Sequence, residues 1–364
     1  MYGVRTDRKE YLRRKRGHVL RFPTYTIFLT IILALVSTAI LAPIWIRMLK
    51  SRGIGQSIRI DGPQGHLIKE GTPTMGGVLI IVTSIFAFWL MNPLGALSLI
   101  VIIGTASTGL LGLIDDTSKV LKERSLGLQG RYKMIILLII AFSLGLMAVN
   151  MADLSTSISV PLTNASIQLG VFTSTFEIAG KTISFPWLYL IFLFLLVAGT
   201  SNAVNLTDGL DGLAAGTVTI IAITYAGIAF SQNHLDVAVF AAAIAGACIG
   251  FLWYNAYPAD IFMGDTGALG LGGAIAALAI VTKTELLLII IGGIYVLEAM
   301  SVIIQVLTFR FTRKRFFKMA PIHHHFEMLG WSETKVMIRF WIITGVFAGA
   351  GFALYFISVL RGSS

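Results

Sequence analysis

Along this chain apolar residues run together for roughly twenty positions at a time, the length a helix needs to cross about 30 Å of hydrocarbon. Such windows fall near 25–46, 74–92, 95–114, 133–150, 185–200, 213–231, 236–254, 266–281, 285–308 and 336–360. They predict an all-α polytopic membrane protein of about ten transmembrane helices, with only Asn92-Pro93 dividing the second window from the third. Composition agrees. The 364 residues are 56% hydrophobic and 13% charged, whereas about a quarter of a soluble domain is charged. Mean hydropathy is +0.83, so most of the surface faces something other than water and the bilayer is the expected partner.

The loops between windows separate the two sides. Arg47, Lys50, Arg52, Arg59 and Lys69 follow the first window, and Lys119, Lys122, Arg124, Arg131 and Lys133 follow the third. Arg310, Arg313, Lys314, Arg315, Lys318 and Lys335 follow the ninth. Loops after even-numbered windows are short or nearly uncharged, and the longest, 151–184, is rich in Ser and Thr with Lys181 as its one basic residue. The positive-inside rule therefore makes the odd-numbered loops cytoplasmic. The basic start breaks this pattern, because ten helices would place Arg5, Arg8, Lys9, Arg13, Arg14, Lys15, Arg16 and Arg21 outside. Residues 1–23 are read as a basic arm ahead of one integral membrane domain over 24–364. The arm lacks the short apolar core of a cleavable signal peptide, so none is expected.

Net charge is +10. In a soluble protein that would suggest nucleic acid; here it reflects Lys and Arg kept on the cytoplasmic side, and no nucleic-acid partner is expected. Cys248 is the only cysteine and lies inside a window, which excludes an intrachain disulfide.

Carboxylates are costly near a bilayer, so those at window ends point to chemistry. Four polar clusters each follow an odd-numbered window, which predicts one composite site on the cytoplasmic face. Asp115 and Asp116 close the third window. Adjacent carboxylates repel unless a cation neutralises them, and a hard ion such as Mg²⁺ takes oxygen ligands of this kind. A solvated helix end with Lys119 as its partner explains them equally well. In the segment SNAVNLTDGLDGLAAG, Asn202, Asn205, Asp208 and Asp211 recur every three residues, as along one side of a helical or loosely helical segment. Gly209 and Gly212 there would leave room for a bulky ligand. In WYNAYPADIFMGDTGALG, Asn255 offers an amide, Phe262 a stacking face, and Asp265 either a metal ligand or a helix N-cap.

The fourth cluster, KRFFKMAPIHHHFEMLGW, holds His323, His324 and His325. Neighbouring residues of a helix point about 100° apart, so the three cannot share one metal. They read better as hydrogen-bond donors to an anionic substrate such as a pyrophosphate. Leading into the second window, KEGTPTMGG adds Lys69 for a phosphate contact and a Thr-Pro-Thr turn containing Thr74. Neither a P-loop nor a GxGxxG loop is present, and no Ser-His-Asp or Cys-His arrangement suggests itself. What remains is phosphate chemistry on Mg²⁺.

Together GTPTMGG, LIDDTSK, NAVNLTDGLDGLA, FLWYNAYPADIFMGD and APIHHHFEMLGW resemble the polyprenyl-phosphate N-acetylhexosamine-1-phosphate transferase superfamily. The PTMGG and triple-histidine forms are closest to its phospho-N-acetylmuramoyl-pentapeptide transferase branch, from about residue 40 to the C-terminus. That resemblance implies transfer of the sugar-1-phosphate from UDP-N-acetylmuramoyl-pentapeptide to undecaprenyl phosphate, giving lipid I and UMP. It implies ten helices in the bacterial inner membrane with both termini outside, a cytoplasmic Mg²⁺ site, and often a homodimer. It makes Asp265 a Mg²⁺ ligand with Asp116 beside it, and Asp115 and Asp116 catalytic carboxylates. Lys69, Asn205, Asp208, Asp211, Asn255 and Phe262 would hold the nucleoside end, with Thr74 and Asn202 in the same motifs. Gln305, His323 and His324, with His325 adjoining, would face the pyrophosphate or sugar. Lys119 and Lys133 match positions near the lipid-phosphate entrance. The sister enzymes that use UDP-N-acetylglucosamine are the nearest rivals. A transporter is a distant one, since its charges would sit near the bilayer midplane.

Overall fold

The computed structural model describes residues 23–55, 71–121, 127–163, 165–178 and 180–362. Lys69, Arg59, Lys122, Arg124 and the basic arm as far as residue 22 lie outside them. The helices are α1 (Pro23–Ser51), α2 (Gly77–Met91), α3 (Ala96–Leu121), α4 (Gly130–Asn150), α5 (Trp187–Thr207), α6 (Leu213–Ser231) and α7 (Leu235–Asn255), followed by α8 (Gly264–Val281), α9 (Leu288–Ile291), α10 (Gly293–Thr312), α11 (Ile322–Glu327) and α12 (Glu333–Gly362).

Among the described residues nine helices are long and apolar enough to cross a membrane, and α2 is a shorter apolar helix of 15 residues. These ten occupy the ten predicted windows, and the protein is an all-α polytopic membrane protein. Asn92 ends α2 in an extended conformation, so the second and third windows are separate helices. The ninth window breaks at Gly292, between the short α9 and α10. The Ser/Thr-rich loop holds two antiparallel hairpins, β1 (Ser157–Ser159) with β2 (Ser166–Gln168) and β3 (Thr173–Ile178) with β4 (Lys181–Pro186). Asn150, at the end of α4, fixes the second hairpin by donating to the Ser184 carbonyl and accepting from its N–H.

The bundle is built around α8. Every residue from Thr266 to Val281 is buried, and its run of Gly and Ala lets α2, α3 and α5 pack against it. Without a hydrophobic force between helices in lipid, close van der Waals contact of small residues holds such a bundle together. At Gly77 the approach is closest: a Cβ there would overlap the backbone of Gly267. The peripheral helices show the opposite pattern. In α1 Thr26, Thr30, Ala34, Thr38 and Ala42 form one buried stripe at every fourth position, while Phe28 and Ile40 are about two-thirds exposed. A helix apolar on its open faces is facing lipid.

Candidate active site

The sequence clusters meet at one end of α8. Asp115 and Asp116 sit in the last turns of α3 and point apart, as consecutive helix positions must. Both are buried, which rules out the solvated helix end. Asp116 turns toward the start of α8. Its Oδ1 accepts the Asp265 N–H at 3.1 Å, and its Oδ2 accepts the Thr266 N–H at 2.9 Å and the Thr266 hydroxyl at 2.7 Å. The free N–H groups of a helix start favour a carboxylate, and here the capping carboxylate comes from a different helix.

That arrangement removes the N-cap reading of Asp265. It lies in the first turn of α8 rather than at its cap, so its carboxylate is free for other groups. Oδ1 meets the Lys119 ammonium at 3.0 Å and accepts from the Asn205 amide at 3.0 Å. Oδ2 lies 2.9 Å from the Lys133 ammonium. Asp115 shares the same two cations, Lys119 at 2.8 Å and Lys133 at 3.1 Å, and accepts the Leu128 N–H at 2.6 Å. Lys119 is therefore the helical partner expected of Asp115, and it bridges to Asp265 as well. Ligand oxygens of Asp115, Asp116 and Asp265 all lie within 4.8 Å of one another. Three carboxylates face two ammonium groups, so acidic groups outnumber basic ones in this cluster. An oxygen-only donor set with an acidic surplus fits a hard divalent cation.

Around this centre the remaining candidates take different places. Asn205, in the last turn of α5, reaches Asp265 directly. Asp208 caps the end of α5 and accepts the Gly264 N–H. Burial, then the nearby carboxylates of Asp265, Asp116 and Asp211, push its carboxyl well above the usual range. Asp211 and Asn255 are buried and serve the loops: Asp211 accepts the Ala259 N–H, while Asn255 accepts from Gly212 and donates to Ile261. Because α5 ends at Thr207, the three-residue register does not continue as one helical face to Asp211. Asn202 is half-buried and donates to the Ala198 carbonyl.

The GTPTMGG strip is stitched to the segment before α8. Phe262 donates to the Pro73 carbonyl and accepts from Gly76, and Gly77 donates to Met263. This brings the Thr74 hydroxyl beside Gly264 and the Asp116 carboxylate. The Phe262 side chain is half-buried. Gln305 is farther out and holds the chain after α10, accepting from Phe316 and Phe317 and donating to the Phe317 carbonyl. Of the histidines, His323 is enclosed against Glu298, His324 pairs with Glu327, and His325 accepts the Lys318 N–H. Glu298, Thr266 and Glu333, whose carboxylate accepts the Asp211 N–H, were not singled out from the sequence. Glu298 carried a signal, as one of two acidic residues in the apolar window 285–308 and the one in its interior.

The profile of Glycosyl transferase family 4 matches residues 98–283, and phospho-N-acetylmuramoyl-pentapeptide-transferase signature 1 matches residues 69–81. The chain is 44% identical over 332 residues to the phospho-N-acetylmuramoyl-pentapeptide-transferase of Rubrobacter xylanophilus, covering 91% of this chain and 98% of that protein. It is 47% identical over 328 residues to the one from Halalkalibacterium halodurans, covering 88% and 95%. The chain belongs to the phospho-N-acetylmuramoyl-pentapeptide transferase family. The similarity reaches as far as Frankia alni, whose transferase is 44% identical over 363 residues. In this family member, as the geometry above places them, aspartates of two helices far apart in sequence share one charged centre.

Proposed function

We propose that this chain moves phospho-N-acetylmuramoyl-pentapeptide from its UDP-linked form to undecaprenyl phosphate, giving UMP and lipid I in peptidoglycan biosynthesis. It is a membrane-embedded transferase by family. The observation that carries the finer reading is the centre where Asp115, Asp116 and Asp265 outnumber Lys119 and Lys133.

Asp265, with Asp116 behind it, would hold Mg²⁺. When bound, the ion neutralises charge on the pyrophosphate and stabilises the departing UMP. Asp115 takes the proton of undecaprenyl phosphate as a lipid phosphate oxygen forms its bond to the β-phosphorus. The bond from that phosphorus to the UMP oxygen breaks in the same step. Lys119 and Lys133, already spanning Asp115 and Asp265, steady the incoming phosphate. Positioning and electrostatics of this kind supply most of phosphoryl-transfer catalysis. Asn205, Asp208, Asp211, Asn255, Phe262, Thr74, Asn202 and Lys69 are assigned to the nucleoside side. Gln305, His323, His324 and His325 are assigned to the pyrophosphate and sugar. In this reading the site faces the cytoplasm, the membrane is the bacterial inner membrane, and the working unit is a homodimer.

The deciding experiment is UMP release by purified protein in detergent with Mg²⁺ and undecaprenyl phosphate. Release from UDP-N-acetylmuramoyl-pentapeptide, and not from UDP-N-acetylglucosamine, is expected. Release from the second sugar alone would keep the chemistry and reject the substrate.

A further inference from the structure

Glu298 and His323 lie outside the aspartate centre, and both are completely buried. Glu298 is the lone acidic residue of the apolar helix α10, where an unpaired carboxylate is expensive and one retained points to a role. Its two oxygens are both used. Oε2 accepts the Ile322 N–H at 3.0 Å, at the start of α11, and Oε1 lies 3.0 Å from His323 Nδ1. An ionised carboxylate only accepts, so Nδ1 carries the hydrogen and Nε2 is turned the other way. That Nε2 is buried and has no hydrogen-bond partner among the described residues.

Buried polar atoms without a partner are rare and call for a cause. Here the neighbours suggest one. A Cβ on Gly209 would collide with His323 Nε2 and would stand 3.3 Å from His324 Nε2. Both ring nitrogens therefore converge on the Asp208-Gly209 turn. The two rings lie 4.1 Å apart between centroids, and His324 is held in turn by Glu327 at 2.6 Å. A carboxylate that fixes one nitrogen of an imidazole sets the tautomer and direction of the other.

We propose that Glu298 is a positioning residue for the transfer reaction. It fixes His323 so that Nε2, beside that of His324, is presented at the Asp208-Gly209 turn for a phosphoryl oxygen of the nucleotide sugar. This rests on the nucleotide-sugar reading of the site. Glutamine is the informative replacement. Its amide has one acceptor and one donor, so it can hold Ile322 only by donating to Nδ1, which reverses the tautomer. Aspartate keeps two acceptors on a shorter arm.

The test compares wild type, Glu298→Gln and Glu298→Asp as full chains in detergent, with UMP release read against each substrate in turn. Glu298→Gln is expected to raise KM for UDP-N-acetylmuramoyl-pentapeptide about tenfold or more, on the scale of a lost charge-assisted hydrogen bond. KM for undecaprenyl phosphate should stay within about twofold, and Glu298→Asp should recover part of the loss. An unchanged nucleotide-sugar KM in Glu298→Gln, even with a lowered melting temperature, overturns the proposal. If that variant does not fold, wild type labelled with ¹⁵N-histidine decides: nucleotide sugar should shift the His323 Nε2 resonance, and no shift overturns it. Wild type that releases no UMP would instead remove the reading beneath both.

Discussion

Buried charge gathers at both ends of α8, and the two clusters are built differently. At its start, Asp115, Asp116 and Asp265 share Lys119 and Lys133. Just past its other end, Glu285 faces Lys283 alone, and the Tyr189 hydroxyl donates to the same carboxylate oxygen at 3.2 Å. Each cluster removes carboxylates from water, and each needs opposite charge nearby to persist. The second is balanced one to one in charge, with Glu285 Oε2 buried and without a hydrogen-bond partner among the described residues. The first has three carboxylates for two cations, and the proposal of a bound divalent cation rests on that imbalance. Burial of charge is therefore common to both clusters, and the unequal count is what sets the proposed site apart.

The largest effects should come from the unequal cluster. Asp265→Asn and Asp115→Asn are each expected to lower UMP release about a thousandfold or more, roughly 4 kcal/mol of barrier. Nucleotide-sugar binding to Asp115→Asn should persist in calorimetry; a nearly normal rate in that variant would end its role as proton acceptor. Next in size is chelation. Turnover should vanish with a chelator and return with Mg²⁺, and turnover that survives would show that two lysines suffice.

The balanced cluster offers the opposing arm. The double variant Lys283→Met with Glu285→Gln should keep UMP release within about twofold, with a stability change of about 1–3 kcal/mol of either sign. A tenfold loss of rate would erase the contrast between the two ends. The smallest effect concerns Asp208, whose carboxyl burial and neighbouring carboxylates hold above its usual range. A raised group contributes its stability in full below the unfolded value of about 3.9, and loses it as pH climbs through the folded value. Asp208→Asn imitates the protonated form. Its melting temperature in detergent with chelator should equal that of wild type near pH 4 and exceed it near pH 8. Parallel curves would show that Asp208 does not hold its proton.

How far the sequence carried this picture depends on the range of the signal. Twenty-residue apolar runs are local, and they located every membrane helix, α7 at Leu235–Asn255 against 236–254, although α3 and α5 continue to Leu121 and Thr207, past windows that end at 114 and 200. Carboxylates at run ends were visible for the same reason, since Asp115, Asp116 and Asp265 each interrupt an apolar context. Their partners were less visible. That Thr266 donates to Asp116 is a contact across 150 positions, and nothing near either residue announces it. The hairpin strands Thr173–Ile178 and Lys181–Pro186 were hidden because a Ser/Thr-rich segment reads as loop by composition. Glu298 was legible as the interior acid of an apolar run, but its meaning depended on His323, 25 residues away.

One feature of α2 bears on how a lipid substrate is met. Fifteen helical residues rise about 22 Å, some 8 Å less than the hydrocarbon thickness. The strip before it is not helical, and it pairs through Pro73, Gly76 and Gly77 with Phe262 and Met263. Thr74 and the aspartates beside it thus lie next to the N-terminal end of this short helix. A phosphate carried on a long hydrocarbon tail would reach this chemistry without being drawn out of its leaflet.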